Sequence, residues 1–468
     1  MSTATEPLAR SSKPIDVDTS ARFLDEALAR AASDRRVAVV RIPAPAAPLD
    51  AILRGARRGT ALFWQPPTGP AIAGLGAAVE ITVRGPQRWD GVESARREVF
   101  SHLSSSAHPA CPPAPARLYG GFAFAPQAAD AAPWTGFDDA HFVLPRWTYE
   151  RVGSEGCLTF AADARDGWDG RAALVRAELA RLWELLQNPR HQGSAPELRA
   201  IHHQERDRWD AQIRAITDAI AEGHVEKIVA ARRSVATAAK DLDPWTILDA
   251  LASAYPDTWR FALRFGSSAT FVGATPERLF KKRSLVIEAD SLAGTIDARI
   301  EGAAEQLLTS DKDRREHAWV TQHLEATLRE RCSHLEVPAE PQIRALPNVL
   351  HLHTPLRGTL RPEVGAIELA RILFPTPAVG GVPTPAAISW IESQEEPRGW
   401  YSGPVGWIDE DGDAELAVAL RCGVLSGSRA WLYSGCGVVR GSRPEAEWDE
   451  TAVKLLPLLR ALGAEGNG

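Results

Sequence analysis

The chain is poor in the features that would place it quickly. Its five cysteines, Cys111, Cys157, Cys332, Cys422 and Cys436, are scattered, odd in number and free of any CxxC pair. They supply no zinc framework, nominate no thiol nucleophile and suit a reducing cytosol. No apolar run approaches the roughly 20 residues of a membrane helix. The opening stretch MSTATEPLARSSKPIDVDTS lacks the apolar core of a secretory signal. The expectation is a cytoplasmic protein with no membrane partner. Positive charge is not in excess either: 53 Lys and Arg face 60 Asp and Glu, a net charge of −7. That argues against a general affinity for nucleic acid. An anionic ligand would therefore need local cations, or a metal, set against the global field. A GxSxG motif, a P-loop and a repeat of fixed period are also missing.

What is present is an ordinary folding composition. The 468 residues are 44% hydrophobic and 24% charged, enough for one large core or two to three domains. Residues 1–20 read as a flexible tail. Residues 21–197 form a first part that contains the strands AVEITVRG and LYGGFAFAP and the helix RAALVRAELARLWELLQN. It ends in a plausible linker at 188–197. Signals become denser over residues 198–462. WDAQIRAITDAIAEG sets Trp209, Ile213, Ile216 and Ile220 at helical spacing, with Gly223 as a stop. WRFALRFG and ATFVGATPERLF read as a strand pair. SDKDRREHAWVTQHLEATLRERCSHL reads as one helix with Ser310 and Asp313 at its cap. Val320, Leu324, Leu328, Cys332 and Leu335 would form its buried stripe. GPVGWI, AELAVALRCGVL and RAWLYSGCGVV read as an antiparallel meander, followed by a last helix. Blocks of strands and helices joined this way predict an α+β fold rather than a parallel α/β sheet.

Few residues nominate chemistry by themselves. SGCG is not a dinucleotide loop, because Arg440 stands where a third glycine should be. His351 and His353 share a strand face but lack a third ligand partner. Glu447, Glu450 and Lys454 share a face of the last helix. On spacing alone, Glu450 and Lys454 are most simply a surface i,i+4 pair. The alternative is a hard-cation site built with Glu316 from another helix. Lys227, at the head of the apolar run VEKIVAARR, is an edge lysine or a buried base. Glu277, after Pro276, is a loop carboxylate.

Taken in order, nine segments resemble the chorismate-utilising enzyme family. They are EKIVAAR, FVGATPERLF, SLAGT, SDKDRREHAWV, LPNVLHLHTPLRGTL, LFPTPAVGGVP, YSGPVGWIDEDGDAELAVALRC, WLYSGCGVV and EAEWDETAVKL. They cover roughly residues 205–460, and the first 200 residues match mainly at YGGFAF. The resemblance implies one large α+β domain of antiparallel sheets packed as a sandwich with flanking helices. It also implies chorismate as substrate and Mg2+ as cofactor. Lysine at 227 and alanine at 293 look like the water-using pattern of the isochorismate synthase branch. Glutamine at the first position would suggest ammonia, and lysine at the second a covalent amine. Salicylate synthase, which adds pyruvate elimination, is the alternative enzyme. A catalytically silent chorismate-binding protein is the alternative outside catalysis. The product could feed menaquinone or siderophore biosynthesis, and the expected state is a monomer.

The resemblance also assigns roles. Lys227 matches the water-activating base and Glu277 the acid at the C4 hydroxyl. A free lysine titrates near pH 10.4, so burial or a neighbouring cation would be needed to free its lone pair. Glu277 needs the opposite adjustment. Glu316 and Glu450 match the Mg2+-holding carboxylates, with Glu447 contributing through water, while Asp313 is a cap residue. Arg421 and Lys454 match the clamp on the pyruvyl carboxylate. Gly294, Thr295, Gly435 and Gly437 match segments that approach the ligand, and His351 matches a pocket histidine.

Overall fold

The structure is a computed structural model. It describes residues 16–464 except 35, 55, 57, 127–131, 154, 166–170, 190–192, 194, 267, 268 and 348. Strands with buried alternate positions assemble two antiparallel sheets. In the first, Lys227–Ala238 pairs with Arg429–Val439. The ladder continues through Cys422–Ser426, Thr270–Thr275, Trp259–Arg264 and Ala61–Gln65 to Ile72–Val83. In the second, Val349–Leu360 pairs with Val286–Asp297. That ladder continues through Arg278–Arg283, Ala414–Val418 and Pro404–Asp409 to Arg117–Phe122. The long strand Ala140–Val152 pairs with the last strand of each and joins them.

The inner layer of the sandwich is aromatic. Trp64, Tyr119, Trp134, Phe137, Phe261, Phe271, Trp400 and Trp407 form one buried cluster drawn from both sheets and the loops between them. Inner faces that interdigitate in this way hold two sheets together. Helices cover the outer faces through two further clusters. Trp209, Ile213, Ile216 and Ile220 are all buried, as their spacing predicts. Each such side chain contributes roughly 1.5–3 kcal/mol when fully removed from water.

The N-terminal part enters the same sheets. Ala61–Gln65 pairs with Trp259–Arg264, and Arg117–Phe122 with Pro404–Asp409. Part of the proposed linker, residues 190–192 and 194, lies outside the described residues, as do residues 1–15 of the proposed tail. The tail stops earlier than residue 20: a helix begins at Val17, with the Asp16 side chain capping Thr19 N–H at 2.7 Å.

Three boundaries differ from the sequence expectation. The helix from Asp311 ends at Arg329, and Cys332–Glu336 is a strand on Val349–Leu360. Cys332 and Leu335 therefore leave the helical stripe. AELAVALRCGVL is two strands, Ala414–Val418 in the second sheet and Cys422–Ser426 in the first. ATFVGATPERLF likewise splits into Thr270–Thr275 in the first sheet and Arg278–Arg283 in the second. The chain thus changes sheets within each of these two segments, at Pro276–Glu277 and at Ala419–Arg421. The two crossings are adjacent: Val418 N–H donates to Glu277 O at 3.0 Å, and Ala274 N–H to Arg421 O at 3.2 Å. A cavity opens where the sheets part.

Candidate active site

The cavity measures about 190 Å³ and is lined from both sheets and two helices. It is smaller than the roughly 300 Å³ at which pockets for drug-sized molecules begin, which suits a compact ligand. The strand Val286–Asp297 supplies one wall, Leu292 to Thr295. Its register to Val349–Leu360 shifts between Ala293 and Thr295. Gly294, at φ 73, makes that bulge, a backbone state that glycine adopts readily. The bulge lets four consecutive residues line the cavity. On the neighbouring strand, His351 Nδ1 lies 3.0 Å from Thr295 Oγ1 and 3.2 Å from Gly294 O. Burial pushes the His351 imidazole down to about 3, with Arg421 and Lys454 adding to the effect. His351 is therefore neutral, and its Nε2 is buried without a partner.

Lys227 is not an edge lysine in water. It opens the strand Lys227–Ala238, is 0% exposed, and is flanked by Val382 and Val439. Its Nζ donates to Glu316 Oε1 at 2.7 Å. Sequence reasoning asked for burial or a cation beside this lysine; the fold supplies burial, and a carboxylate. Gly437 makes the pairing possible. A Cβ there would lie 2.6 Å from Glu316 Oε1 and 2.7 Å from Lys227 Cε. Burial alone would raise the Glu316 carboxyl, but Lys227, Lys454 and Lys312 hold it below its ordinary value.

Glu277 sits at the first sheet crossing. Its N–H donates to Thr275 Oγ1 at 3.3 Å, and that hydroxyl donates to Val418 O at 2.6 Å. Burial pushes its carboxyl up to about 7, against the pull of Lys227, Arg421 and Lys454. The carboxyl can therefore hold a proton near neutrality. Arg421 sits at the second crossing in a left-handed backbone state, φ 48. Burial lowers its guanidinium, partly offset by Tyr401 and Glu277.

The last helix brings Glu450 and Lys454 to the same cavity. They do form the expected i,i+4 pair, Nζ to Oε1 at 2.6 Å, but on a mostly buried face. Lys454 Nζ also donates to Gly435 O at 3.1 Å. Glu447 is almost fully buried beside Cys436 and does not line the cavity. Its Oε1 lies 3.9 Å from Lys312 Nζ, and its Oε2 has no hydrogen bond of ordinary geometry. Asp313 caps its helix with Ser310, as expected, and also lines the cavity. Among the described residues no group of three or more acidic, His or Cys side chains converges tightly enough to ligate an ion. Lys227 and Lys454 each hold one of the carboxylates. The donor set at the cavity, Glu316 and Glu450, is nonetheless all carboxylate oxygen, and this chemistry fits a hard divalent cation.

Lys312, Tyr401 and Ser402 also line the cavity and escaped the sequence reading. Lys312 could have been found, since it precedes Glu316 by four residues and shares its helical face. Tyr401 and Ser402 are brought in by a turn that no residue pattern announces.

A family model described as "Chorismate binding enzyme" matches residues 23–463. The chain is similar to the "Salicylate biosynthesis isochorismate synthase" of Pseudomonas aeruginosa, with 36% identity over 422 residues. That alignment covers 88% of this chain and 86% of the relative. "Isochorismate synthase MenF" of Bacillus subtilis is 31% identical over 435 residues, covering 89% and 91%. Among solved structures, the menaquinone-specific isochorismate synthase MenF from Escherichia coli superposes with a TM-score of 0.77 at 25% identity. It covers 94% of this chain and 99% of that one. Anthranilate synthase component I from Streptococcus pneumoniae shares the fold, with a TM-score of 0.69 at 20% identity, covering 84% and 93%.

Proposed function

We propose that this chain, which belongs to the chorismate-binding enzyme family, is an isochorismate synthase that interconverts chorismate and isochorismate. The observation that carries the reading is buried Glu277 and Ala293 at the cavity wall, with buried Lys227 just behind it, its Nζ 2.7 Å from the lining residue Glu316. Water would add at C2 while the C4 hydroxyl leaves and the ring double bonds shift. Lys227 Nζ, in its neutral form and released from the ion pair with Glu316, takes the proton of the attacking water as the new C2–O bond forms. Glu277 gives its proton to the departing C4 oxygen as that C–O bond breaks. Each group then holds the other's starting proton state, which sets the site for the reverse reaction. Ala293 presents only a methyl group at a cavity wall, so no side chain there competes with water as nucleophile.

Arg421 and Lys454 would bind the pyruvyl carboxylate, the arginine through its two-pronged fork. Backbone at Gly294, Gly435 and Gly437 leaves room for the ring, and Thr295 with neutral His351 offers hydrogen-bonding groups beside it. Glu316 and Glu450 would hold Mg2+, with Glu447 behind them contributing through water. The bound ion would neutralise the ring carboxylate. These local cations answer the charge problem that a dianion poses to a chain of net charge −7.

The test is incubation with chorismate and Mg2+, with products resolved by chromatography. Isochorismate in equilibrium with chorismate is expected. Salicylate with pyruvate as the main products would move the reading to salicylate synthase. Saturable binding without turnover would make the chain a chorismate sensor. Anthranilate on adding ammonia would undo the assignment of Lys227.

A further inference from the structure

The segment Trp400–Gly403 closes a tight turn, with Gly403 N–H donating to Trp400 O at 3.0 Å. Its third residue, Ser402, has φ 65. A left-handed residue at the third position of such a bonded turn defines type II, a place that glycine or asparagine fills with ease. Serine there carries a steric cost that glycine would not. Ser402 is also 1% exposed, and its hydroxyl makes no hydrogen bond of ordinary geometry. The Tyr401 phenol lies near, without proper alignment. An unpartnered buried hydroxyl is a second cost. Both costs fall on a residue that lines the catalytic cavity.

This turn is tied to the strand break that carries Arg421. Ser402 N–H donates to Ala419 O, and Ala419 N–H to Gly403 O, each at 2.8 Å. Arg421 is itself left-handed at φ 48. Two strained, non-glycine residues on bonded segments therefore bring a hydroxyl and a guanidinium to one cavity. Strain of this kind persists where the surrounding structure over-determines it, and it collects at ligand clamps.

We infer that Ser402 is a further binding residue, whose Oγ–H donates to the same ligand carboxylate that Arg421 clamps. The inference rests on the proposed chorismate site. A bound carboxylate oxygen would satisfy the hydroxyl that the free protein leaves unpaired. The strained backbone then serves to aim that hydroxyl.

The test compares Ser402→Gly and Ser402→Ala with the parent chain by chorismate kinetics, equilibrium titration with chorismate and Mg2+, and thermal melting. Both variants should raise KM and Kd about tenfold, the loss of one hydrogen bond to a charged group. The turnover number should change little, because the contact persists in ground and transition states. Ser402→Gly should melt above the parent chain, and above Ser402→Ala, which keeps the left-handed strain. Unchanged chorismate affinity in both variants would overturn the inference and leave Ser402 a strained turn residue only. If the parent chain binds chorismate without turnover, the isomerase reading fails while the titration still decides the role of Ser402.

Discussion

Glu277 and Arg421 occupy two neighbouring points at which the chain passes from one sheet to the other. Backbone hydrogen bonds clasp the crossings, Val418 N–H to Glu277 O and Ala274 N–H to Arg421 O. A sandwich must part where a strand leaves it, and the space so opened is the cavity. Proposed acid and proposed carboxylate clamp are thus held by the same feature of topology. Their mutual position follows from sheet register rather than from flexible loops.

The Glu277 carboxyl, raised to about 7 by burial, sets a pH dependence. An acid must be protonated to act, so kcat/KM should fall about tenfold per pH unit above a midpoint near 7. His351, neutral because its imidazole is pushed down to about 3, should add no step near 6.5. Stability should follow the same group. The folded chain keeps a proton that the unfolded chain releases between about 4.5 and 7, so stability falls as pH rises through that window. Glu277→Gln should cut turnover about 10²–10⁴-fold. It should also melt higher than the parent at pH 8 but not at pH 4.5. Rate profiles and melting curves check both; an alkaline limb near 7 that survives in the variant would remove Glu277 as its source.

Lys227→Ala should lower kcat by about 10²–10⁴, the range of a lost general base. Chorismate affinity, measured by titration, should stay close to that of the parent, because Arg421 and Lys454 remain. Normal turnover in the variant would show that another group takes the proton from water.

The Lys227–Glu316 pair gives a prediction about folding as well as activity. Lys227 is fully buried, and Glu316 is its hydrogen-bonded carboxylate at 2.7 Å. Removing one partner of a buried pair leaves a charge uncompensated, at a cost of roughly 3–5 kcal/mol. Glu316→Gln should therefore lower the melting temperature. Glu316→Gln combined with Lys227→Met should recover most of the loss, though not activity. Glu450→Gln, whose partner Lys454 keeps Gly435 O, should melt near the parent. Its signature should instead be a higher Mg2+ concentration for half-maximal rate. Chelation with EDTA should abolish turnover in the parent, and restored Mg2+ should return it.

These contrasts also mark how far the sequence carried the site. Lys227, Glu277, Glu316, Arg421 and Lys454 were legible because ordered segments around them resemble one family, and the fold brings them together. Local pattern would have missed Lys227, since an ammonium at a strand end reads as solvated. Its burial depends on Val382, Val439 and Gly437, all distant in sequence. The strand breaks at 276–277 and 419–421 were legible only in part. Pro276 announces the first; nothing announces the second, because an arginine occupies a backbone state usually marked by glycine or asparagine. The helix–strand boundary after Arg329 was hidden because Cys332 and Leu335 continue the apolar spacing. The two-sheet architecture was predicted by resemblance. The aromatic layer that fills it, with Trp64 and Tyr119 from the divergent N-terminal part, was not.

Arg421 offers the sharpest separation of charge from geometry. Its guanidinium is partly buried at the cavity, and its backbone is left-handed. Arg421→Lys keeps a cation and keeps the same backbone strain, so the melting temperature should hold within a few degrees. A lysine is a point donor, however, and cannot present two parallel N–H groups to one carboxylate. KM for chorismate should rise at least about tenfold, equal to one lost charge-assisted hydrogen bond. Arg421→Gly removes both the clamp and the strain, so it should bind more weakly still yet unfold at a higher temperature. If the lysine variant matched the parent in KM, charge alone would account for substrate binding here, and the fork would have no part in it.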